Sequence, residues 1–271
     1  MELASAFLTH VNERHPVTVQ CKVYWVHTRL WDQSWIDAYH AAAPGLAREI
    51  AARKVDMSNV GSEPIDGSKT GGADANRFTC EDFAFEVLVE FASHNKLPLK
   101  IVTGSAVFKN VDPDYKSGDK SGPPTPAGFA VDLAIASGAP DVARNSTSIS
   151  DNDIKTGDLF LEFDASHVQV VTAASPTRVE IMQGNFPGVT SNLIKGVGKL
   201  LGSGHIRYTT VGNRESPLYI GVPVGVAVYE KRNGTWLYQR QYGTYHDWDS
   251  GVWDNTMNRR VRWNFLQFNY K

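Results

Sequence analysis

The chain has 271 residues, of which 42% are hydrophobic and 21% are charged. These proportions are ordinary for a globular protein and allow a sizeable core, so wholesale disorder is not expected. The 27 Lys and Arg residues nearly balance the 29 Asp and Glu residues. Because there is no basic excess to attract phosphate groups, nucleic acid is not the expected partner.

The N-terminal residues and the cysteine count bear on where the protein is made. Met1–Ser5 lacks the basic region and apolar run of a secretion signal, and no stretch approaches the ~18 uncharged apolar residues of a membrane span. The two cysteines, Cys21 and Cys80, are too few for a disulfide framework. We therefore expect synthesis in the cytoplasm, without a signal peptide, and no stable insertion into a membrane.

The first predicted elements are one strand and two helices. Residues 17–26 alternate and are rich in β-branched side chains, which predicts a strand. A helical pattern follows over 35–54, and Pro44-Gly45 predicts an interruption within it. The clearest helix of the chain is predicted over Cys80–His94, closed by Asn95.

A loop, a short helix and a set of strands follow. The Pro- and Gly-rich residues 110–128 predict a long loop that is either a mobile segment or a substrate lid, and a short helix is predicted over 129–137. Three runs joined by short turns, 158–163, 167–172 and 178–186, predict an antiparallel meander.

The C-terminal part is strand-like and rich in aromatic residues. Its Asn-Gly pair within 231–235 is a strong hairpin signal. We therefore expect an α+β fold with two parts: a catalytic domain over 1–190, whose core spans about 76–186, and a β-rich extension or subdomain over 191–271.

Cys80 has the position that a catalytic cysteine requires. Thr79 is a suitable N-cap, so Cys80 lies in the first turn of its helix. There the helix dipole and the unpaired N–H groups favour a thiolate, which is the nucleophilic form, and could bind an oxyanion. The alternative is a small core residue on the apolar face of the helix, and for an isolated cysteine this alternative is the commoner case.

A histidine and two amides provide the partners that such a thiol needs. His167 begins a predicted strand after a tight hairpin, where it could be held against a helix start as a general base. Gln183 and Asn185 lie two residues apart on the next strand and share a face. Either amide could orient the imidazole. The alternative for each residue alone is an ordinary polar position on a strand.

Several short motifs carry a family resemblance. Cys80-Glu-Asp-Phe-Ala-Phe at a helix start, with Leu97-Pro98 beyond the helix, resembles the catalytic helix of NlpC-type and CHAP-type (cysteine, histidine-dependent amidohydrolase/peptidase) enzymes. The run from Ile154, with Gly-Asp-Leu, and the run from His167, His-Val-Gln-Val-Val, resemble two strands of that family. Residues 179–186, Val-Glu-Ile-Met-Gln-Gly-Asn-Phe, are similar to the strand that carries its third and fourth polar residues.

The resemblance covers residues 76–186 and implies both a fold and a site. The implied fold is a papain-like core in which the catalytic helix packs on an antiparallel sheet, with β-rich C-terminal additions. In the implied site Cys80 is the nucleophile, His167 is the base, Gln183 takes the third position and Asn185 the fourth. Either Gln183 or Asn185 could orient the base, and no metal or organic cofactor is implied.

The implied activity is hydrolysis of an amide bond in peptidoglycan, by a stem-peptide endopeptidase or an amidase. The implied setting is an antibacterial toxin, for which type VI secretion into the periplasm of a target cell is the preferred route and a phage lysin the second. A toxin would have an immunity protein and the secretion apparatus as partners.

The chain also departs from the family pattern. The NlpC pattern is Asp-Cys-Ser-Gly, whereas this chain has Thr79-Cys80-Glu81-Asp82. The two carboxylates favour the helix start but oppose a thiolate. Gln183 is neutral, so it can orient His167 but does not stabilise an imidazolium as a carboxylate would.

Two other functions remain open. One is a papain-like deamidase or protease toxin that acts on a protein. The other is a non-catalytic module that binds glycan or a partner through the C-terminal aromatic residues.

Overall fold

The computed structural model describes residues 21–53, 79–113, 122–184, 224–240 and 248–270. Its helices are α1 (Gln33–Ala52), α2 (Cys80–His94), α3 (Pro126–Ala136) and α4 (Ala139–Arg144). Its strands are β1 (Lys22–Val23), β2 (Lys100–Val102), β3 (Val107–Lys109), β4 (Val111–Asp112), β5 (Ser146–Ser148), β6 (Leu159–Leu161), β7 (Val168–Ser175), β8 (Arg178–Gln183), β9 (Gly225–Arg232), β10 (Thr235–Arg240), β11 (Asp249–Ser250) and β12 (Arg259–Trp263). The short helical turns are Asp151–Asp153, Val252–Thr256 and Phe265–Phe268.

These elements form an α+β fold around one large antiparallel sheet, as predicted. The strand order of that sheet is β11-β10-β9-β8-β7-β6-β12-β5. The pairs β6–β7 and β7–β8 form the predicted meander. Strands β1 and β4 form one two-stranded sheet, and β2 and β3 form another.

Helix α2 has the predicted bounds, Cys80–His94, because its end signals are local. The Thr79 hydroxyl accepts a hydrogen bond from the Asp82 N–H at 3.4 Å, and Asn95 follows the last turn. Most of its side chains are buried, so the helix lies inside the core. One face packs against α1 and another against β7.

The predicted interruption of the first helix at Pro44 is wrong. Helix α1 runs from Gln33 to Ala52 with Pro44 inside it. Proline has no N–H to donate to the carbonyl four residues earlier, which is that of His40. That carbonyl instead accepts a hydrogen bond from the Thr156 hydroxyl, so the helix continues because a distant residue replaces the missing donor.

The C-terminal strands are integrated into the same sheet as the meander. Strand β12 lies between β6 and β5 and pairs with both. From β12, Arg262 donates two hydrogen bonds of 2.7 Å to the carboxylate of Asp158, whose side chain is fully buried. Strand β9 pairs with β8 along its length. Strands of both predicted parts therefore share one sheet, while the boundary predicted at residue 190 lies outside the described residues.

The predicted hairpin around Asn233-Gly234 is confirmed. Strands β9 and β10 pair across it, and both turn residues have positive φ, 50° for Asn233 and 84° for Gly234. Two-residue hairpin turns of this kind need positive φ at both positions, which Asn and Gly tolerate best.

The predicted loop over 110–128 and the predicted helix over 129–137 are both shifted. Part of that loop is strand β4, residues 114–121 lie outside the described residues, and helix α3 begins at Pro126. The Thr125 hydroxyl caps this helix by accepting from the Gly128 N–H at 3.1 Å. Proline in the first turn costs no hydrogen bond, so Pro126 begins the helix.

The predicted strand over 17–26 is reduced to two residues in the described part, Lys22–Val23, and Cys21 precedes it in irregular structure. Among the described helices, none is long and apolar enough to cross a membrane.

Candidate active site

The Cys80 thiol is buried at the junction of α2 and β7. The residue is 3% exposed, and its Sγ–H donates a hydrogen bond of 3.1 Å to Oε2 of Glu81. The backbone N–H of Val168, the first residue of β7, also acts on the sulfur as a hydrogen-bond donor. The thiol therefore contacts the residue that follows His167 in the chain.

The electrostatics of this position favour the protonated thiol. Burial raises the pKa of Cys80 well above its usual value, the negative charge and hydrogen bond of Glu81 raise it further, and the charge of Asp82 adds to them. The Val168 N–H lowers the pKa, but it does not offset these effects. The expectation that the helix start favours a thiolate is therefore wrong for the resting structure, because two carboxylates and a loss of solvent outweigh the dipole.

His167 precedes β7 in a tight connection. Its carbonyl accepts from the Glu162 N–H at 3.0 Å, and Ala165 in the turn has φ of 57°. Its half-buried ring contacts the neighbouring strand, with Nε2 2.6 Å from Oε1 of Gln183. A carbonyl-type oxygen only accepts, so this contact assigns the proton to Nε2 and leaves Nδ1 as the basic nitrogen.

Gln183 is the centre of a buried hydrogen-bond network. Its Oε1 also accepts from Nε2 of Gln169 at 2.9 Å, and its own Nε2 donates to the Tyr238 hydroxyl at 3.0 Å. The Tyr229 hydroxyl donates to Oε1 of Gln169 at 2.7 Å. These four side chains are 6% exposed or less. An unsatisfied polar group at such depth costs about 1–3 kcal/mol, so their mutual bonding fixes their orientations.

Helix α2 and the hydrogen-bond network around Gln183 lie on opposite faces of the large sheet. Cys80 shares one hydrophobic core with Val168 and Val170, whose side chains face α2. Tyr229 and Tyr238 belong to a second core on the other side. The described contacts thus place the thiol against the backbone of Val168 on one face, and the His167 ring against Gln183 on the other.

The four predicted site residues have different outcomes. The structure brings His167 and Gln183 into direct contact, and it places Cys80 against the backbone at Val168. Asn185 lies outside the described residues. Two of the helix-start N–H groups that were expected to bind an oxyanion already have partners. The Asp82 N–H donates to the Thr79 hydroxyl, and the Phe83 N–H donates to the Thr79 carbonyl.

Sequence reasoning missed Gln169, Tyr229 and Tyr238. A signal existed for Gln169, because it lies two residues after His167 and so shares its face of the strand. The tyrosines are directly opposite each other across the β9–β10 hairpin, but only the tertiary structure brings them to Gln183.

Within the described residues, no group of three or more His, Cys, Asp or Glu side chains is arranged to hold a metal ion. Both cysteines are free; Cys21 is exposed and Cys80 is buried. Comparisons with protein-family models, curated proteins and solved structures found no match for the chain.

Proposed function

We propose that the protein is a papain-like cysteine hydrolase of the NlpC or CHAP type, with Cys80 as nucleophile and His167 as base. The observation that carries the proposal is the contact between His167 Nε2 and Gln183 Oε1 beside the strand residue that contacts the Cys80 thiol. An amide that fixes the orientation of the imidazole is the arrangement that a base in cysteine acyl transfer needs.

In the proposed mechanism the thiol is deprotonated during the reaction. The proton of Cys80 moves to Nδ1 of His167, and the sulfur attacks the carbonyl carbon of an amide. The imidazolium then gives its proton to the leaving amine, which breaks the C–N bond and leaves a thioester. His167 next takes a proton from water, the hydroxide attacks the thioester, and the acid product and free thiol are released.

Glu81 has to give up its hydrogen bond before the first step. In the resting structure its carboxylate holds the thiol proton. The cost of breaking this contact, about 1.5–3 kcal/mol for a hydrogen bond to a charged group, is then recovered from substrate binding.

The proposed substrate is peptidoglycan, cut at a stem-peptide bond or at the amide that joins sugar to peptide. Support comes from the resemblance of the Cys80, Gly-Asp-Leu and His-Val motifs to cell-wall hydrolases, which is an argument by analogy. We further propose an antibacterial toxin delivered to the target periplasm by type VI secretion, with an immunity protein as partner; a protein substrate for a deamidase or protease is the alternative within the same chemistry.

The test is digestion of purified peptidoglycan, with the products resolved by mass spectrometry. The wild-type protein and Cys21→Ser should release the same new fragments, and Cys80→Ala should release none. Cys21 is the matched control because it is the other free thiol and is exposed. Equal fragments from Cys80→Ala would refute the catalytic role of Cys80. No fragments from any folded variant would refute the wall substrate.

A non-catalytic binding module is the second candidate, because the burial and raised pKa of Cys80 are also those of an inert core thiol. This candidate predicts that Cys80→Ala binds peptidoglycan as wild type does and that neither protein cleaves it.

A further inference from the structure

The side chains behind His167 form a chain of donors and acceptors with a direction. From the far end, Tyr229 donates to Gln169, Gln169 donates to the oxygen of Gln183, and that same oxygen accepts from His167. The remaining Nε2 of Gln183 donates to the Tyr238 hydroxyl. Each amide therefore uses its oxygen and its nitrogen on different partners.

The amide of Gln183 does not reverse on its own in this arrangement. Reversal would place its NH₂ against Nε2 of Gln169 and face two donors to each other at the 2.9 Å that now separates donor and acceptor. The amide of Gln169 is in turn held by the Tyr229 hydroxyl. Only a concerted reversal of both amides, with the two hydroxyl groups exchanging donor and acceptor roles, is consistent, so the orientation of Gln183 is coupled to Gln169, Tyr229 and Tyr238.

We propose that Gln169, Tyr229 and Tyr238 are positioning residues that fix the tautomer of His167 through the amide of Gln183. This proposal rests on the proposed function for its catalytic meaning, since only a hydrolase needs Nδ1 kept as the base. The direction of the network itself is a property of the folded protein and holds without any substrate.

The arrangement explains how a neutral residue serves in the third position. A carboxylate accepts at both oxygens and needs no orientation, whereas an amide presents either an acceptor or a donor. The network removes that ambiguity and presents the acceptor. Gly225 is opposite Gln183 on the neighbouring strand, and the Tyr238 hydroxyl reaches the Gln183 amide from β10, the next strand but one.

The experiment is a long-range ¹H–¹⁵N correlation spectrum of the full chain labelled at histidine, with His167 assigned from His167→Ala. It is recorded at about pH 8.5, roughly two units above the ordinary imidazole pKa of about 6.5, so that neutral rings predominate. The variants are Gln169→Met, which removes the amide with little change in volume, and Tyr229→Phe. Tyr39→Phe is the matched control, because Tyr39 is also buried and its hydroxyl contacts the Gly157 carbonyl at 3.4 Å and Trp263, which are not members of this network.

Wild type and Tyr39→Phe should show a single His167 tautomer with the proton on Nε2. Gln169→Met and Tyr229→Phe should show both tautomers or the Nδ1–H form, with thermal unfolding confirming that each is folded. An unchanged Nε2–H tautomer in both folded variants would overturn the proposal, as would an Nδ1–H tautomer in wild type.

Peptidoglycan digestion separates this inference from the function. A hydrolase with the network should lose about tenfold or more in kcat in the two variants, as expected for loss of one oriented hydrogen bond, while KM is unchanged. If the protein has no hydrolytic activity but its His167 tautomer changes in the variants, the positioning role is supported and the hydrolase is refuted. If the variants keep full activity and the wild-type tautomer, the hydrolase is supported and the positioning role is refuted.

Discussion

Replacing Glu81 with glutamine should activate the Cys80 thiol. The carboxylate of Glu81 raises the pKa of this thiol through its charge and its hydrogen bond. Glutamine has nearly the same shape but no charge, and its NH₂ group can donate to a thiolate. The substitution therefore removes an interaction that favours the thiol and adds one that favours the thiolate.

The size of the effect follows from the 3.1 Å between Cys80 Sγ and Glu81 Oε2. Two unit charges at this distance repel by about 1.3 kcal/mol even at the dielectric constant of bulk water, and by about 5 kcal/mol at an effective value of ~20. Since about 1.36 kcal/mol is a tenfold change, the thiolate fraction at neutral pH should rise at least about tenfold. A less basic thiolate is also less nucleophilic, so the net gain in reaction rate is about threefold or more.

The assay is alkylation of Cys80 by iodoacetamide at pH 7, followed by intact mass spectrometry. All proteins carry Cys21→Ser, because that exposed thiol would otherwise react first. Glu86→Gln is the matched control: Glu86 is another carboxylate of α2 with little exposure, and it is not among the groups that shift the thiol.

Glu81→Gln should react about threefold faster or more than the Cys21→Ser parent, and Glu86→Gln should react at the parental rate. An unchanged or slower reaction of folded Glu81→Gln would refute the assignment of Glu81 as the group that keeps the thiol protonated. Equal acceleration by Glu86→Gln would show that removal of any carboxylate from α2, rather than of the one beside the thiol, causes the effect.

Three further predictions test the third site residue, a buried carboxyl and the continuity of the first helix. Gln183→Leu should lower kcat for peptidoglycan cleavage by about tenfold or more, because His167 loses its acceptor; steady-state kinetics measure it, and a wild-type kcat would contradict the role. Burial raises the pKa of Glu86 from 4.5 to about 7, so its protonated form stabilises the fold fully below about pH 4.5 and that stabilisation is lost as pH rises through 7. Glu86→Gln should therefore be more stable than wild type at pH 8, by up to about 3 kcal/mol, with the difference vanishing near pH 4.5; urea unfolding at both pH values checks this, and a pH-independent difference would contradict it. Thr156→Val should cost about 1–3 kcal/mol because the His40 carbonyl loses its donor, and Pro44→Ala should recover part of that loss by restoring a helical N–H; additive effects in the unfolding double-mutant cycle would contradict this coupling.

The elements that sequence predicted well are those with local causes. Helix α2 has its cap, its apolar face and its terminating Asn95 within one stretch of chain, so its bounds could be read directly. The β9–β10 hairpin is set by Asn233-Gly234, and the meander by short turns. In each case the residues that determine the structure are neighbours in sequence.

The features that the sequence did not predict have causes that are distant in the chain. Pro44 ends a helix unless another donor reaches the His40 carbonyl, and that donor, Thr156, lies 116 residues away. The place of β12 between β5 and β6 depends on long-range pairing. Nothing near either segment in the sequence carries this information.

In the candidate site, too, contacts with local causes were predictable from the sequence and contacts with distant causes were not. The contact of His167 with Gln183 was expected, because a hairpin joins their strands and a family resemblance named both residues. The protonated state of the Cys80 thiol was not predicted from the sequence. Glu81 is adjacent to Cys80, but the sequence does not show that its side chain turns towards the thiol. Burial of Cys80, which also raises its pKa, depends on the packing of α2 against β7. The tyrosines of the network come from strands about 45 residues or more beyond Gln183 and were invisible to local patterns.

The most direct test of the central claim, that Cys80 and His167 act as a pair, needs no substrate. Iodoacetamide alkylation of Cys80 is compared at pH 7 between the Cys21→Ser parent, the same protein with His167→Ala, and a control with His94→Ala, which removes an exposed histidine at the end of α2. His167→Ala should slow the reaction about tenfold or more, because the thiol loses its base, and His94→Ala should leave it unchanged. Equal rates in all three folded proteins would contradict the pair and favour a buried, inert thiol.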